Sequence, residues 1–364
     1  MLVIVKIGSS SVVNTDNGLN LELIENISAQ VAKLIKNGHK VVLVSSGAVA
    51  LGITHLADSN NIKKEDLSVK QALAAVGQFK LMEAYSDAFS SHDVLVGQVL
   101  LTPNDFIHRN QYLNAKNTLT TLLSMDILPI INENDAVATD EIRFSDNDRI
   151  AALVANMLKA DLLILLTDIS GMFTSDPSVD EGATLIKEIN ELTDRIHSMA
   201  SDTNSSIGSG GMVAKLAAAK IATWSGVKVI IGGANQKDIL TNIVLENKVL
   251  GTVIHPKVQK LNARKLWIAF AKASHGSVEI DQGALDAILS SNGSLLPKGV
   301  TNVGGEFEVG DAIDVISDAG KEIAKGIAKI SSVDMIEYLS QKNSEESLNL
   351  NTELIHRDDL VILT

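Results

Sequence analysis

The sequence predicts an α/β fold with three layers, in which helices cover both faces of a mainly parallel β-sheet, followed by a small all-β module. Two patterns predict this class: short apolar runs alternate with segments of helical period, and beyond about residue 275 short alternating stretches are broken by glycines. A length of 364 residues also exceeds the usual size of one domain, so two domains are expected.

The large sheet is predicted from six apolar runs that lack the polar alternation of half-exposed strands. The runs are Leu2–Ile7, Val41–Val44, Val94–Leu101, Ile127–Ile131, Leu162–Leu166 and Val227–Ile231. Apolar residues recur at helical spacing between them, and the predicted helices are Leu21–Asn37, Val69–Phe89, Asn114–Met125, Asp148–Leu158 and Gly211–Ser225. In a parallel sheet of this kind, ligands bind at the carboxyl ends of the strands.

The C-terminal module is predicted from short alternating stretches separated by glycines. The predicted strands are Gly276–Ile280, Ala312–Ile316, Ile323–Ile330 and Leu360–Leu363, the last of them after a polar stretch over 340–352. Residues 276–364 hold 6 basic and 16 acidic side chains, a net charge of −10 out of −13 for the whole chain. The acidity of the protein therefore belongs mostly to this module.

Composition excludes several classes of protein. A net charge of −13 has the wrong sign for a protein that binds phosphate backbones or anionic membranes, and 3% aromatic residues argue against base stacking. The lack of cysteine excludes disulfides, thiol nucleophiles and Cys-based zinc sites. Lys6 interrupts the N-terminal apolar run that a signal peptide would need, and no apolar run approaches the ~18 residues of a bilayer span. We expect a soluble, cytoplasmic protein that does not associate with membranes.

Two strand ends are candidate anion sites. Lys6-Ile7-Gly8-Ser9-Ser10 combines a cation with small residues that allow the backbone to approach a phosphate, although a strand-end lysine that reaches solvent is an equal alternative. Ser45-Ser46-Gly47-Ala48 ends the next strand and leads into a helix, whose free amides bind anions. An ordinary N-cap serine explains that second segment at least as well.

A dense set of amide and carboxylate side chains follows the fourth predicted strand. It covers Asn132-Glu133-Asn134-Asp135 and resumes at Asp146-Asn147-Asp148. Helix caps explain one or two such residues but not seven, so a functional site is favoured. Further along, Thr167-Asp168 ends a strand, and 208–212 is a glycine-rich turn before Lys215. This turn lacks the Gly-Lys-[Ser/Thr] of a Walker loop and is a weak signal alone.

Taken in order, these segments resemble the amino-acid kinase family, in particular its members that phosphorylate the side-chain carboxylate of free glutamate. The segments are Val5–Ser10, Ser46–Ala48, Lys70–Gln78, Ile131–Asp135, Asp146–Asp148, Leu166–Asp168, Gly210–Met212 with Lys215, Leu295–Gly299 and His356–Asp359. The C-terminal module resembles the PUA domain. The resemblance implies a kinase domain over 1–258 with the amino-acid kinase fold, and a PUA-like domain over 275–355.

The implied activity is ATP-dependent phosphorylation of the γ-carboxylate of L-glutamate to L-glutamyl 5-phosphate, the first step of proline biosynthesis. The implied catalytic residues are Lys6, Lys215, Asp148 and Asp146. The implied substrate-binding residues are Ser46, Asp135, Asn147, Asn132 and Asn134. The implied ATP-binding residues are Lys6, Gly8, Thr167, Asp168, Ser209, Gly210, Gly211, Met212, Val213, Ala214 and Lys215. The implied cofactor is Mg²⁺, bound mainly through ATP, and no residue is assigned as its ligand.

The chemistry is consistent with this set of residues. A carboxylate is already ionised at neutral pH and needs no general base, so catalysis reduces to positioning and charge neutralisation. The chain departs from the family pattern at Ser9, Ser145 and Ala214, and the last departure removes a hydroxyl near the phosphates. One rival is a kinase for another carboxylate or carbamate substrate, against which Asp135 suits a free α-ammonium group.

A second rival is an RNA-binding or regulatory protein with a decayed kinase domain, against which Lys6, Asp148 and Lys215 are all retained. The resemblance also implies a homo-oligomer, a dimer or a tetramer. Because the C-terminal module is strongly acidic, we do not expect it to bind RNA. Its lysines Lys321, Lys325 and Lys329 lie close in sequence and are the one candidate for a basic patch.

Overall fold

The computed structural model describes residues 1–14, 18–55, 66–137, 147–201, 211–257, 261, 263–272, 274–291, 293–341 and 352–363. They form two compact units, Met1–Lys260 and Leu261–Thr364. The domain limits inferred from the sequence, 1–258 and 275–355, stay predictions.

The first unit alternates strands and helices along the chain. Its strands are β1 Leu2–Ile7, β2 Val13–Asn14, β3 Gly18–Leu19, β4 Lys40–Ser45, β5 Val96–Leu101, β6 Leu128–Glu133, β7 Leu162–Thr167, β8 Glu188–Ile189, β9 Lys228–Gly233 and β10 Thr252–Ile254. Its helices are α1 Ser9–Val12, α2 Leu21–Lys36, α3 Ala48–His55, α4 Leu67–Ser90, α5 Asn104–Ile107, α6 Arg109–Ser124, α7 Asn147–Leu158, α8 Asp194–Ser201, α9 Met212–Trp224 and α10 Ile239–Val244.

Eight of these strands form one sheet in the order β5-β6-β4-β1-β7-β9-β10-β8. The six from β5 to β9 in that order are mutually parallel, whereas β10 is antiparallel to β9. Helices α2, α4 and α10 pack on one face, and α7 and α9 contact strands from the other. The predicted three-layer α/β fold with a mainly parallel sheet is confirmed.

The central strands are buried on both faces because their sequences are apolar throughout. In β1, Val3, Ile4 and Val5 are fully buried, and Lys6 is the one charged residue of the strand. Parallel pairing of β1 aligns Ile7 with Ser45 of β4 and with Leu166 of β7. The carboxyl ends of the central strands therefore meet along one edge of the sheet.

Some element limits differ from the sequence predictions. Strand β6 continues through Asn132 and Glu133, because the strand pairs with β5 as far as Leu101, so the predicted loop begins later. Helix α6 starts at Arg109, five residues before its predicted start, since the polar residues of its first turn hide the helical period. The short strands β8 and β10 were not predicted because two or three residues carry no periodic signal.

Helices α3 and α4 touch through their backbones at two glycines. A Cβ added at Gly77 would lie 1.8 Å from the carbonyl oxygen of Ala48, and one added at Gly52 would lie 2.0 Å from that of Leu73. No other residue fits either position. The close packing of the two helices therefore requires glycine, although glycine costs ~1 kcal/mol inside a helix. Just before α3, Gly47 has φ +111°, in the region that favours glycine.

The second unit contains a five-stranded sheet in the order β12-β11-β13-β14-β15. Its strands are β11 Ser274–Ile280, β12 Val300–Gly305, β13 Ala312–Ser317, β14 Glu322–Ile327 and β15 Leu360–Ile362. Helices α11 Ala263–Leu266, α12 Gln282–Ser291 and α13 Ser332–Gln341 accompany the sheet and were not predicted. Most of the polar stretch over 340–352 lies outside the described residues. Among the described helices of the whole chain, none has the length and apolar character needed to cross a bilayer.

Candidate active site

Three charged side chains meet beneath the carboxyl edge of the sheet. Nζ of Lys6, near the end of β1, lies 2.7 Å from Oδ1 of Asp148. Nζ of Lys215, one turn into α9, lies 3.4 Å from Oδ2 of the same carboxylate. All three residues are at most 5% exposed. We call them the lysine–aspartate cluster.

The electrostatics of this cluster favour an ionised carboxylate. Burial acts to raise the pKa of Asp148, but the two lysine charges and their hydrogen bonds outweigh it, so the pKa lies below its usual range. Two ammonium groups around one carboxylate carry a net charge of +1. A buried excess of positive charge in a low dielectric attracts an anion strongly.

A hydrogen-bond network adjoins the cluster, because Asn147 directly precedes Asp148 at the start of α7. The amide nitrogen of Asn147 donates to Oγ of Ser46 and to Oδ1 of Asn132, both at 2.9 Å. The backbone N–H of Glu133 donates to Oδ1 of Asn132 at 2.9 Å and to Oδ1 of Asn147 at 3.1 Å. Ser46, Asn132 and Asn147 are thus buried and held together, as three of the predicted substrate-binding residues.

The other two predicted substrate-binding residues, Asn134 and Asp135, line a cavity of about 280 Å³. Gln78 of helix α4 also lines this cavity, and so does Glu133, the last residue of β6. Burial raises the pKa of Asp135 to about 6. Ligand pockets commonly measure ~300–1,000 Å³, so this cavity suits a small molecule. Its carboxylates suit a cationic group.

The predicted ATP-binding residues lie at neighbouring strand ends and at the start of α9. The hydroxyl of Thr167, the last residue of β7, donates to Oδ1 of the exposed Asp168 at 2.8 Å. Gly8 lies beside the lysine–aspartate cluster, since a Cβ added to it would be 3.9 Å from Nζ of Lys6. Met212, Val213, Ala214 and Lys215 form the first turn of α9 after Gly211. Ser209, Gly210 and the predicted catalytic Asp146 lie outside the described residues.

The burial of Lys6 decides between the two interpretations of this residue, a part of an anion site or a strand-end lysine that reaches solvent. Lys6 does not reach solvent, because its side chain is 6% exposed and paired with Asp148. Asn132 belongs to the strand rather than to a loop, which explains its burial. The roles of these residues stay predictions.

Two buried residues were quoted in the sequence motifs but given no role. Gln78 accepts a hydrogen bond of 2.7 Å from Asn132, and Glu133 lines the cavity with 4% exposure. The available signal was the Gly77-Gln78 pair within an otherwise helical run. An isolated glycine at such a position indicates a close packing contact and not a break.

Metal ligands among the described residues are sparse. No group of three His, Asp or Glu side chains is placed to hold a metal ion in the part of the chain that the structure describes. Both oxygens of Asp148 face lysines, which leaves this carboxylate unsuited to a cation.

A parallel sheet whose carboxyl edge holds buried lysines beside a small cavity lined by carboxylates is suited to binding a molecule with both anionic and cationic groups. Residues 1–233 match the model of the amino acid kinase family, and residues 276–346 match that of the PUA domain. The chain belongs to the amino acid kinase family.

Several relatives match over nearly the full length of the chain. Glutamate 5-kinase of Nitrosomonas eutropha is 44% identical, and that of Burkholderia thailandensis is 43% identical, each over 99% of this chain and 97% of the relative. Glutamate 5-kinase of Syntrophus aciditrophicus is 42% identical over 99% of this chain and 94% of the relative. A solved structure of isopentenyl phosphate kinase matches 70% of this chain with a TM-score of 0.53 and 18% identity, which supports the fold alone.

Proposed function

We propose that this protein transfers the terminal phosphoryl group of ATP to the γ-carboxylate of L-glutamate, giving L-glutamyl 5-phosphate and ADP, the first step of proline biosynthesis. Full-length similarity to glutamate 5-kinases supports the reaction. The observation that carries the mechanism is the pair of buried lysines that share one aspartate, directly beside the Asn147 network.

The reaction itself is a displacement at phosphorus. A γ-carboxylate oxygen of glutamate forms a bond to the γ-phosphorus of ATP, while the bond from that phosphorus to the bridging oxygen breaks and ADP leaves with the electron pair. The nucleophile is ionised at neutral pH, so no residue has to remove a proton. The protein must instead hold two anions together, which is a task of positioning and charge neutralisation.

The lysine–aspartate cluster supplies that neutralisation. Lys6 and Lys215 approach from β1 and α9, and Asp148 fixes both ammonium groups without cancelling their combined charge. Because the groups are buried and already in place, little reorganisation is needed as charge develops on the transferring group. Asp148 is a positioning residue in this mechanism, and the two lysines are the catalytic residues.

The acceptor side is equally fixed before substrate binds. Ser46 and Asn147, joined at 2.9 Å, hold the γ-carboxylate end next to the cluster, with Asn132 behind them. Asp135 and Asn134 receive the α-ammonium end in the cavity. An acylated amine carries no positive charge, so Asp135 favours glutamate over N-acylated analogues.

The nucleotide side follows from the same edge of the sheet. Thr167 ends β7, which pairs with β1, and Asp168 follows it directly, while α9 begins after Gly211. Ser209 and Gly210 are proposed to bind ATP together with these residues. Gly8 and the first turn of α9, Gly211 to Lys215, face the phosphates. Use of ATP implies a divalent metal, for which we propose Mg²⁺. This ion would be bound mainly through ATP, by the phosphate oxygens.

The C-terminal unit is proposed not to bind RNA. Lys325 is 9% exposed and donates to the backbone carbonyl of Lys272, and Lys329 pairs with Glu353 at 3.2 Å. Because both lysines already have acceptors, these two cations do not form a basic patch. Self-association into a dimer or tetramer stays a prediction, which light scattering of the full chain would test.

Trapping with hydroxylamine tests the proposed function, because acyl phosphates react with it to give coloured hydroxamates. The full chain with ATP, Mg²⁺ and glutamate should give hydroxamate, and omission of ATP or glutamate should abolish it. N-acetylglutamate and aspartate should give little product. Strong turnover of N-acetylglutamate with none of glutamate would overturn the substrate assignment.

A further inference from the structure

Gln78 is buried at the meeting point of α4, β6 and the cavity. Its side chain is 9% exposed and lines the cavity together with Asn134 and Asp135. The backbone contact between α3 and α4 at Gly77 fixes the position of the residue that follows. Gln78 ends the sequence motif Lys70–Gln78, none of whose residues has a role in the proposed function.

The hydrogen-bond network fixes which end of the Gln78 amide is the nitrogen. The backbone N–H of Glu133 can only donate, so the atom of Asn132 that it meets is the oxygen Oδ1. The amide nitrogen of Asn132 is then the donor in the 2.7 Å bond to Gln78, and the acceptor there is Oε1. Nε2 is therefore the remaining atom of the Gln78 amide.

This nitrogen has no hydrogen-bond partner among the described residues and is fully buried. Buried donors are nearly always paired, so this donor lacks an acceptor, and a ligand in the cavity that Gln78 lines would supply one after a small shift of the side chain. The network also gives the direction of the ligand. It runs from the lysine–aspartate cluster through Asn147 and Asn132 to Gln78, so Gln78 lies at the end remote from the reacting γ-carboxylate.

We propose that Nε2 of Gln78 donates a hydrogen bond to the α-carboxylate of the bound amino acid, a proposal that rests on the proposed function. Asp135 receives the α-ammonium group in the same cavity, so the two side chains together recognise the free amino-acid end. The lysine–aspartate cluster and Gln78 then mark the two ends of the substrate. An acceptor with a shorter carbon chain than glutamate does not reach both.

The variant Gln78→Glu separates this role from a structural one. It keeps the shape of the side chain and an oxygen that accepts from Asn132, but it replaces the donor by a negatively charged acceptor. The acceptors to compare are glutamate and its analogue with an α-carboxamide, which keeps the γ-carboxylate and offers a donor. Loss of a hydrogen bond to a charged group should lower kcat/KM for glutamate by about 100-fold.

For the α-carboxamide analogue, kcat/KM should not fall in Gln78→Glu, so the preference between the two acceptors should shift by about 100-fold. Gln78→Met conserves volume and removes the donor without adding charge, and it should reduce the preference for glutamate to near unity. Gln111→Glu is the matched control, since Gln111 is exposed on α6, does not line the cavity and should leave the preference unchanged.

The outcomes are distinct. An equal fall for both acceptors in Gln78→Glu and Gln78→Met means a structural role and overturns the proposal, and so does an unchanged preference in both. If Gln78→Glu does not fold, Gln78→Met decides alone. A parent chain that phosphorylates no glutamate overturns the proposed function as well, whereas an active parent with an unmoved preference overturns only the assignment of Gln78.

Discussion

Lysines serve opposite purposes in the two units of this chain. In the first unit, Lys6 and Lys215 are buried around a single carboxylate, which leaves a net positive charge beneath the sheet edge. In the second unit, Lys325 donates to a backbone carbonyl and Lys329 meets its own carboxylate, Glu353. The second unit also holds more lysines within a few residues of sequence, at 321, 325 and 329.

The comparison shows that the number of basic residues in a segment does not give the field that they produce. Two lysines far apart in sequence form an anion site because β1 and α9 deliver them to one aspartate. Three lysines close in sequence form none, because two of them are satisfied locally, in a segment over residues 276–364 whose net charge is −10. The two sites differ in the ratio of cations to acceptors: two lysines share one carboxylate in the first unit, whereas Lys325 and Lys329 each have an acceptor in the second.

Removal of the shared carboxylate should have the largest effect. Asp148→Asn removes the charged carboxylate that two buried ammonium groups share, and breaking a buried ion pair costs about 3–5 kcal/mol. The free energy of unfolding, measured by urea denaturation, should fall by about this amount. Asp126→Asn is the control, because its pair with Lys40 is exposed and such pairs contribute about 0–1 kcal/mol. Equal losses in both variants would contradict the distinction between the two kinds of pair.

Removal of one lysine should mainly affect turnover. Lys215→Ala or Lys6→Ala should lower kcat by about 10²–10³-fold, with a much smaller change in KM for glutamate, because their contacts strengthen in the transition state. Lys329→Ala in the second unit should leave kcat unchanged. A folded Lys215→Ala protein that retains most of its kcat would show that the role assigned to this lysine is wrong.

Replacement of Asp135 should improve stability while it weakens substrate binding. Its folded pKa of about 6 is above the ordinary value of 3.8, so its contribution favours folding at low pH and is lost as pH rises through 6. Asp135→Asn should therefore raise the free energy of unfolding at pH 8 by at most about 3 kcal/mol, a gain that fades below pH ~4. Asp318→Asn, at an exposed position, should show no such gain.

The same aspartate should set the pH dependence of substrate capture. Only the ionised carboxylate attracts the α-ammonium group, so kcat/KM for glutamate should rise with pH through about 6 and then level off. Asp135→Asn should raise KM and abolish this rise. A rise that persists in the variant would assign the titration to another group.

The smallest effect is expected for RNA. A filter-binding titration of the full chain at physiological salt should detect no sub-micromolar binding, since affinity for nucleic acid depends on phosphate neutralisation by free cations. Sub-micromolar binding that falls with Lys329→Glu would contradict this account of the second unit.

Long apolar runs made the central sheet predictable from the sequence. β1 and β7 match their predicted ranges within one residue, because strands buried on both faces have no competing pattern. The helices α12 and α13 were not predicted, since each is 10 residues long in a segment dominated by glycine breaks. An apolar periodicity over only 10 residues does not identify a helix in a segment that is rich in turn residues.

The site was predictable only in part. The resemblance pointed to Lys6, Asp148 and Lys215, but their convergence depends on the layer order of the sheet and helices. Gln78 could not be recognised, because its role depends on the contact between α3 and α4 and on amide orientations set by Glu133. Such contacts join residues that are far apart in sequence and leave no periodic trace.

The most direct test of the central claim is to follow the oxygen that attacks phosphorus. Glutamate labelled with ¹⁸O in its γ-carboxylate is incubated with ATP and the full chain, and hydroxylamine then cleaves the product at its acyl carbon. The account predicts that the released phosphate carries one ¹⁸O atom per molecule, detected by ³¹P NMR, because the carboxylate oxygen bridges carbon and phosphorus in the product. Phosphate released without label would show that water, and not glutamate, accepts the phosphoryl group.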